Sequence, residues 1–173
     1  MVVHRLVVDC KALTPATRAR WAASVRSWRE PWLQVLWVYD LADVNYIEAG
    51  ESRSYLLVRD ASLVLSRAEW SEWKARGFPT PLIKDLFQFK CLFMFGGWWA
   101  DMDYFNFRAK PPAASWSTLL LGSEYEHRTG SYAKSERHIL NLGGRRVAIN
   151  LGIMWAEQGS PLLMEAQRKA NAL

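Results

Sequence analysis

Two rhythms of apolar residues alternate along the chain. Short, nearly continuous apolar runs are separated by longer segments in which apolar residues recur every three or four positions, the pattern of strands interleaved with amphipathic helices. Val2–Val8 reads as the first strand, its alternation interrupted by His4 and Arg5. Thr14-Pro15 supplies an N-cap and a first helical residue, and the helix is expected to reach about Arg29 with Trp21, Val25 and Trp28 on one face. Pro31 marks the boundary, and Leu33–Tyr39 is so uniformly apolar that it suits the interior of a parallel sheet, with Asp40 at its C-terminal end. Tyr55–Val58 is a third strand ending at Arg59-Asp60. Ser66–Arg76 reads as a helix capped by Ser66 with Glu69 three positions on, and stopped by Gly77.

The clearest helix is Pro81–Phe95, with Leu82, Leu86, Phe89 and Phe93 along one face and Gly96-Gly97 at its end. Trp98–Tyr104 is then expected to be extended, and Pro111-Pro112 to lie in a loop. Thr118–Gly122 is a strand, Glu124–Arg137 a polar surface loop, Val147–Trp155 a strand interrupted by Gly152, and Ser160-Pro161 starts a last helix. The sum is an α/β domain, Rossmann-like, with a mainly parallel sheet. Ligands of such sheets sit beyond the C-terminal ends of the strands, which places Asp9, Asp40, Asp60 and Asp101 in one neighbourhood.

Composition narrows this picture. At 173 residues the chain is the size of one domain. Its longest apolar runs, such as Leu92–Ala100, are too short to cross a bilayer, and no signal peptide is visible, so a cytoplasmic domain is expected. The basic excess of +5 suits an anionic ligand. It gives little support to nucleic-acid binding, because the basic residues are scattered rather than striped. Cys10 and Cys91 lack metal-site spacing and read as reduced, buried thiols. Ten tryptophans exceed the needs of an average core, and aromatic faces also stack on bases and sugars.

The chemistry concentrates in Trp98-Trp99-Ala100-Asp101-Met102-Asp103. In an extended segment residues two apart share a face, so Trp99, Asp101 and Asp103 are expected to point one way and Met102 into the core. Two carboxylates on one face repel, and a divalent cation removes that cost. Hard oxygen ligands suit Mg²⁺ or Mn²⁺, which bind through one or two carboxylates and complete their shell with phosphate and water. A D-x-D triplet alone is common by chance. Its setting after an amphipathic helix, a Gly-Gly stop and an aromatic pair is what singles it out.

That setting carries a resemblance. Leu82–Asp103, LIKDLFQFKCLFMFGGWWADMD, resembles the signature S-D-x-x-R-Y-x-x-L-Y-x-x-G-G-x-Y-x-D-x-D of glycosyltransferases with the DXD sugar-binding region, without a gap. These enzymes have the GT-A fold and include bacterial capsular-polysaccharide and mannosyltransferase-like enzymes and the catalytic domains of large clostridial glucosylating toxins. Asp85, Phe89, Leu92, Phe93, Gly96-Gly97, Trp99, Asp101 and Asp103 fall on the signature positions. Leu36-Trp37-Val38-Tyr39-Asp40, Arg59-Asp60-Ala61, Ser123-Glu124 and Ile149-Asn150 through Gly159-Ser160-Pro161 resemble further segments of the family.

The resemblance implies a metal-dependent transfer of sugar from a UDP- or GDP-sugar to a glycan or other hydroxyl acceptor, with retention of configuration. Asp103 would bind Mn²⁺ or Mg²⁺ directly, and Asp101 would meet it through water and reach the ribose. Asp85 would hold donor hydroxyls, Trp99 would pack beside the donor, and Asn150 would face the transferred sugar or acceptor. Val8 and Asp40 would border the nucleobase and ribose.

Two departures stand out: Gln88 replaces the signature arginine, and Lys84 replaces the serine. Lys84 is a candidate replacement cation, read as pointing elsewhere on the helix than Gln88. The chain also ends earlier than is usual for the family. Glu124 is a donor-contacting carboxylate, or a catalytic base if the reaction inverts. Arg145-Arg146 reads as an exposed turn, His127 and His138 as solvated loop residues, and Trp70, Trp73 and Trp116 as loosely held acceptor contacts. The alternative is a non-catalytic relative that binds a nucleotide-sugar or glycan, or a fragment of a larger transferase.

Overall fold

A computed structural model of the chain describes residues 1–46, 55–106, 119–125, 139–142 and 145–172. Its elements alternate as expected of an α/β protein: β1 (Val2–Val7), α1 (Pro15–Ser27), β2 (Leu33–Val38), β3 (Leu56–Asp60), α2 (Arg67–Ala75), α3 (Thr80–Phe95), β4 (Gly97–Ala100), β5 (Leu119–Tyr125), β6 (Ile139–Leu142), β7 (Arg145–Ala156) and α4 (Pro161–Asn171). Local chemistry explains the helix starts. Thr14 accepts a bond from the Thr17 amide ahead of Pro15. Ser66 and Glu69 close a reciprocal capping box on α2, satisfying amides that no helical carbonyl can reach. Lys90 of α3 then pairs with Glu69 at 2.6 Å and ties the two helices together.

The described strands form one seven-stranded mixed sheet ordered β3-β2-β1-β4-β7-β5, with β6 also on β7. The expected parallel sheet is its first part: β3, β2, β1 and β4 pair in parallel. The rest is antiparallel, because β7 runs against β4, β5 and β6. From β1 the chain builds outward to β2 and β3, then returns to place β4 on the other side of β1. The order therefore reverses between β1 and β4, and crevices at such reversals are where open α/β sheets bind ligands.

Side chains alternate across the sheet. On one face Leu6, Val35, Trp37 and Trp99 pack with Ile83, Phe87, Cys91 and Leu92 of α3 and Leu163 of α4. On the other, Val7, Leu36 and Val38 meet Val25 of α1, and Trp28, Trp32 and Trp98 stack edge to face. Each such apolar side chain contributes about 1.5–3 kcal/mol on burial. Most of the tryptophans are thus used here; Trp73, expected as an acceptor contact, is buried against Phe78.

Several boundaries moved. The strand before the acidic pair ends at Ala100 instead of running to Tyr104. β5 extends to Tyr125, so Glu124 belongs to a strand paired with Ala148 and not to a surface loop. β6 was not anticipated, since four residues give too short a pattern. Arg145 and Arg146 open β7 and pair with Leu142 and Asn141, so they are strand and not turn. His127, His138, Trp116 and Pro111-Pro112 lie outside the described residues. Among the described residues no helix is long and apolar enough to cross a membrane.

Candidate functional site

The site begins where α3 ends. Gly96 has φ +64° and ψ −170°, a conformation open only to glycine, and a Cβ there would lie 2.8 Å from the Gln158 amide nitrogen. Gly97, at φ +94°, lies so close to β1 that a Cβ would approach the Val2 carbonyl at 3.1 Å. Buried His4 secures this corner. Its Nε2 lies 3.0 Å from the Gly96 carbonyl, and its Nδ1 accepts from Trp37 Nε1 at 3.2 Å. These two bonds require the neutral tautomer protonated at Nε2, and burial pushes the imidazole down to about 4.

From this corner β4 delivers Asp101 to the C-terminal side of the sheet. Its amide donates to the Gly152 carbonyl of β7 at 2.7 Å. Met102 and Asp103 then form a turn closed by the Tyr104 amide on the Asp101 carbonyl at 3.0 Å. The segment is therefore not extended, and Asp101 and Asp103 share a turn rather than a strand face. Met102 is buried, as expected, while Asp103 is exposed. Trp99 is also buried, at 1 % exposure, and donates from Nε1 to Asp101 Oδ1 at 3.0 Å. It underlies the carboxylate instead of presenting an open face beside a donor.

Carboxylates accumulate here. Burial raises the Asp101 carboxyl above its ordinary range and the charge of Asp103 adds to this; Lys84, the Trp99 indole and Arg5 oppose it. Asp85 of α3 is pushed up to about 6 by burial and by the charge of Asp101, against Lys84. Lys84 and Gln88 are one helical turn apart and so share a side of α3, contrary to expectation. They differ in depth: Lys84 acts on both acids, whereas Gln88 is buried at 2 % exposure and presents nothing to a ligand.

Arg5, read from sequence only as a break in alternation, proves central. It is fully buried on the α1 face. Its Nε reaches the Ala100 carbonyl at 3.3 Å, and its NH2 nitrogen reaches the carbonyls of Asp101 and Tyr104 at 2.7 and 2.9 Å and Ser24 Oγ at 2.7 Å. Burial lowers it to about 9, with Asp101 and Asp103 holding it up, so it stays charged at neutral pH. A cation in the middle of an apolar strand was the available signal.

On the same C-terminal edge of the sheet, beyond β1 and β2, lies a cleft of about 520 Å³ lined by Val8, Asp9, Lys11, Tyr39, Asp40, Asp43, Arg67 and Trp70, among others. Val8 and Asp40 are thus brought together as expected, with Asp9 between them at φ 54°. The Ala42 amide and Lys11, 3.5 Å away, hold the Asp40 carboxyl below its usual range. Tyr39 meets Trp70 edge to face at 5.3 Å, and Arg67 lies 5.7 Å from the Tyr39 ring. Aromatic walls with two cations and three carboxylates suit a planar ligand that also carries hydrogen-bonding groups. Lys11, Tyr39 and Arg67 were missed because nothing in the local pattern marks them. Asp60 and Asp101 do not line the cleft; Asp60 instead caps the short turn at Ala61–Leu63.

Asn150 and Glu124 are placed by backbone alone. Pairing between β5 and β7 slips from Leu121↔Met154 to Gly122↔Asn150. Asn150 thus stands at a bulge, two residues from the Gly152 carbonyl that holds Asp101, and Glu124 lies two residues further along β5 from Gly122. As metal ligands, Asp101 and Asp103 are hard oxygen donors at adjoining positions, and Asp101 has one oxygen uncommitted to Trp99. Among the described residues no three His, Cys, Asp or Glu side chains are placed to hold a metal ion between them. That donor set fits Mg²⁺ or Mn²⁺ held by one or two carboxylates and completed by phosphate, and not a closed protein cage. No protein-family model matches the chain, and no curated protein matches it in sequence.

Proposed function

We propose that the chain is a metal-dependent glycosyltransferase of the GT-A type, moving a sugar from a UDP- or GDP-sugar to a glycan or other hydroxyl acceptor in the cytoplasm. The observation that carries this reading is the electrostatic coupling of Asp101 to both Asp85 and Asp103 where the sheet order reverses, on the C-terminal edge that also carries a cleft with aromatic, cationic and acidic walls. Like charges gathered in a partly desolvated place are costly unless a cation or ligand hydroxyls relieve them. The likeness of Leu82–Asp103 to the DXD signature adds to this.

In this reading the cleft holds the nucleoside, with Val8 and Asp40 against base and ribose. Asp103 binds Mn²⁺ or Mg²⁺ from its exposed position, and Asp101 supports it, oriented by Trp99. The metal supplies charge neutralisation at the diphosphate leaving group. Asp85 accepts hydrogen bonds from donor hydroxyls, and Asn150, near the bulge, faces the transferred sugar. The anomeric carbon–phosphate oxygen bond breaks and the carbon–acceptor oxygen bond forms on the same face. The acceptor proton passes to the departing phosphate, so no enzymic base is needed and Glu124 contacts the donor.

The test is a thermal-shift screen of UDP- and GDP-sugars with and without Mn²⁺, followed by transfer assays. Ligands that bind the folded state raise its melting temperature by mass action. Metal-dependent stabilisation by one nucleotide class, lost in Asp103→Ala, is expected; equal activity in Asp103→Ala or in excess chelator sinks the metal role. The buried Gln88 favours one second reading, a non-catalytic nucleotide-sugar binder. Metal-dependent binding without turnover would select it.

A further inference from the structure

Arg5 has a cost and a set of partners that its place in the core does not explain. A guanidinium with no exposed surface loses its hydration, and an apolar side chain would fill a position between sheet and α1 without that penalty. Its bonds converge on one short stretch of chain: the carbonyls of Ala100, Asp101 and Tyr104, the residues around the acidic turn. Two more donors strengthen the same anchor. Ser24 Oγ and Trp28 Nε1, both from α1 and its end, reach the Tyr104 carbonyl at 2.5 and 3.0 Å. Gln34 Oε1 accepts from Arg5 NH1 at 3.4 Å, while its amide nitrogen donates to the Val25 and Trp28 carbonyls.

The choice of acceptors matters. An arginine paired with the Asp101 carboxylate would compete with any cation for the same oxygens. Arg5 engages the main chain instead and leaves both carboxylates available, while its buried charge eases their mutual repulsion. Its planar fork spans carbonyls that a lysine's single nitrogen cannot.

We propose that Arg5 is the positioning residue of a divalent-cation site, holding the turn so that Asp101 and Asp103 present their carboxylates together. This rests on the metal reading above. Arg5 touches neither cation nor donor; it acts through the turn.

The experiment uses the full chain with Arg5→Lys and Ser24→Ala, and Mn²⁺ alone as the probe. Two quantities are read: the Mn²⁺ dissociation constant, from the loss of free Mn²⁺ signal in electron paramagnetic resonance, and the indole N–H resonance of Trp99 in the metal-free protein. The indole reports Asp101 directly, because it donates to that carboxylate. Supporting residues of metal ligands typically contribute about 10- to 100-fold in affinity, so Arg5→Lys is expected to weaken Mn²⁺ at least about 10-fold. It should also move the Trp99 resonance while the Trp37 indole, bonded to His4, stays in place. Ser24→Ala should do the same to a smaller extent. A folded Arg5→Lys with either quantity unchanged overturns the proposal. If Arg5→Lys fails to fold, Ser24→Ala decides by the same two readouts. Wild-type protein that takes up no Mn²⁺ would instead overturn the metal reading itself, and this proposal with it.

Discussion

Trp99 Nε1 donates to Asp101 Oδ1 at 3.0 Å from beneath the acidic turn. The indole is buried and the carboxylate only partly so, so the bond joins the core to the site at a single atom. Trp99→Phe keeps an aromatic ring and removes the donor. It is expected to destabilise the fold by about 1–3 kcal/mol, from the lost bond and the smaller ring, measurable by urea denaturation. It should also weaken Mn²⁺ about 10-fold, since the freed carboxylate is no longer aimed.

Asp85 gives the site a pH dependence. Its carboxyl is raised in the folded state, to about 6, so the folded protein holds that proton more tightly than the unfolded chain. The stability associated with the protonated group is present at low pH and is lost as pH rises through about 6. Asp85→Asn should therefore gain on wild type as pH climbs from about 4 to 6, with a plateau above, on the order of 2 kcal/mol in metal-free protein. Mn²⁺ affinity should also rise with pH, because the neighbouring Asp101 is raised as well and must ionise to bind. A flat difference between Asp85→Asn and wild type across that range would contradict the placement of Asp85.

His4 works in the opposite direction. Its pKa is depressed from 6.5 to about 4, so the folded state excludes a proton that the unfolded chain accepts. Stability is complete above about 6.5 and is lost as pH falls toward 4. His4→Phe should abolish this acid-side loss. At neutral pH it should cost about 1–3 kcal/mol for each group left without a partner, the Gly96 carbonyl and the Trp37 indole. Thermal melts at pH 5 and 7.5 separate the two effects.

Gly96 tests the corner. A side chain at φ +64° and ψ −170° carries backbone strain of about 1–3 kcal/mol, and the Gln158 amide at 2.8 Å adds a clash with main chain. Gly96→Ala is expected to lower the melting temperature visibly, whereas Gly77→Ala, with open space around it, has only its positive φ of 83° to bear.

Much of this was written in local pattern. Ser66 with Glu69, Thr14 with Pro15, and the stripe along α3 are decided within a few residues, and each element formed close to where it was read. The sequence links Asp85 to Asp101 only through the likeness of Leu82–Asp103 to the DXD signature. The turn at Asp101–Tyr104 was not legible. Its shape depends on Arg5, Ser24 and Trp28, which lie some eighty to a hundred residues away along the chain. Nor does any periodicity show that Lys11 converges on one cleft with Arg67 and Trp70 of α2, since distant parts of the chain supply them. The antiparallel half escaped for the same reason: the register slip opposite Gly122 is a property of a strand pair and not of either strand.

The tie between the acidic turn and α1 does more than hold two carboxylates. Tyr104 is held through its carbonyl, and two residues later the Asn106 amide donates to Ser27 Oγ at 2.9 Å. The chain is thus moored to a helix on both sides of Phe105 before it leaves. A pull on the backbone at Asn106 therefore bears on α1 before it bears on Asp101 or Asp103.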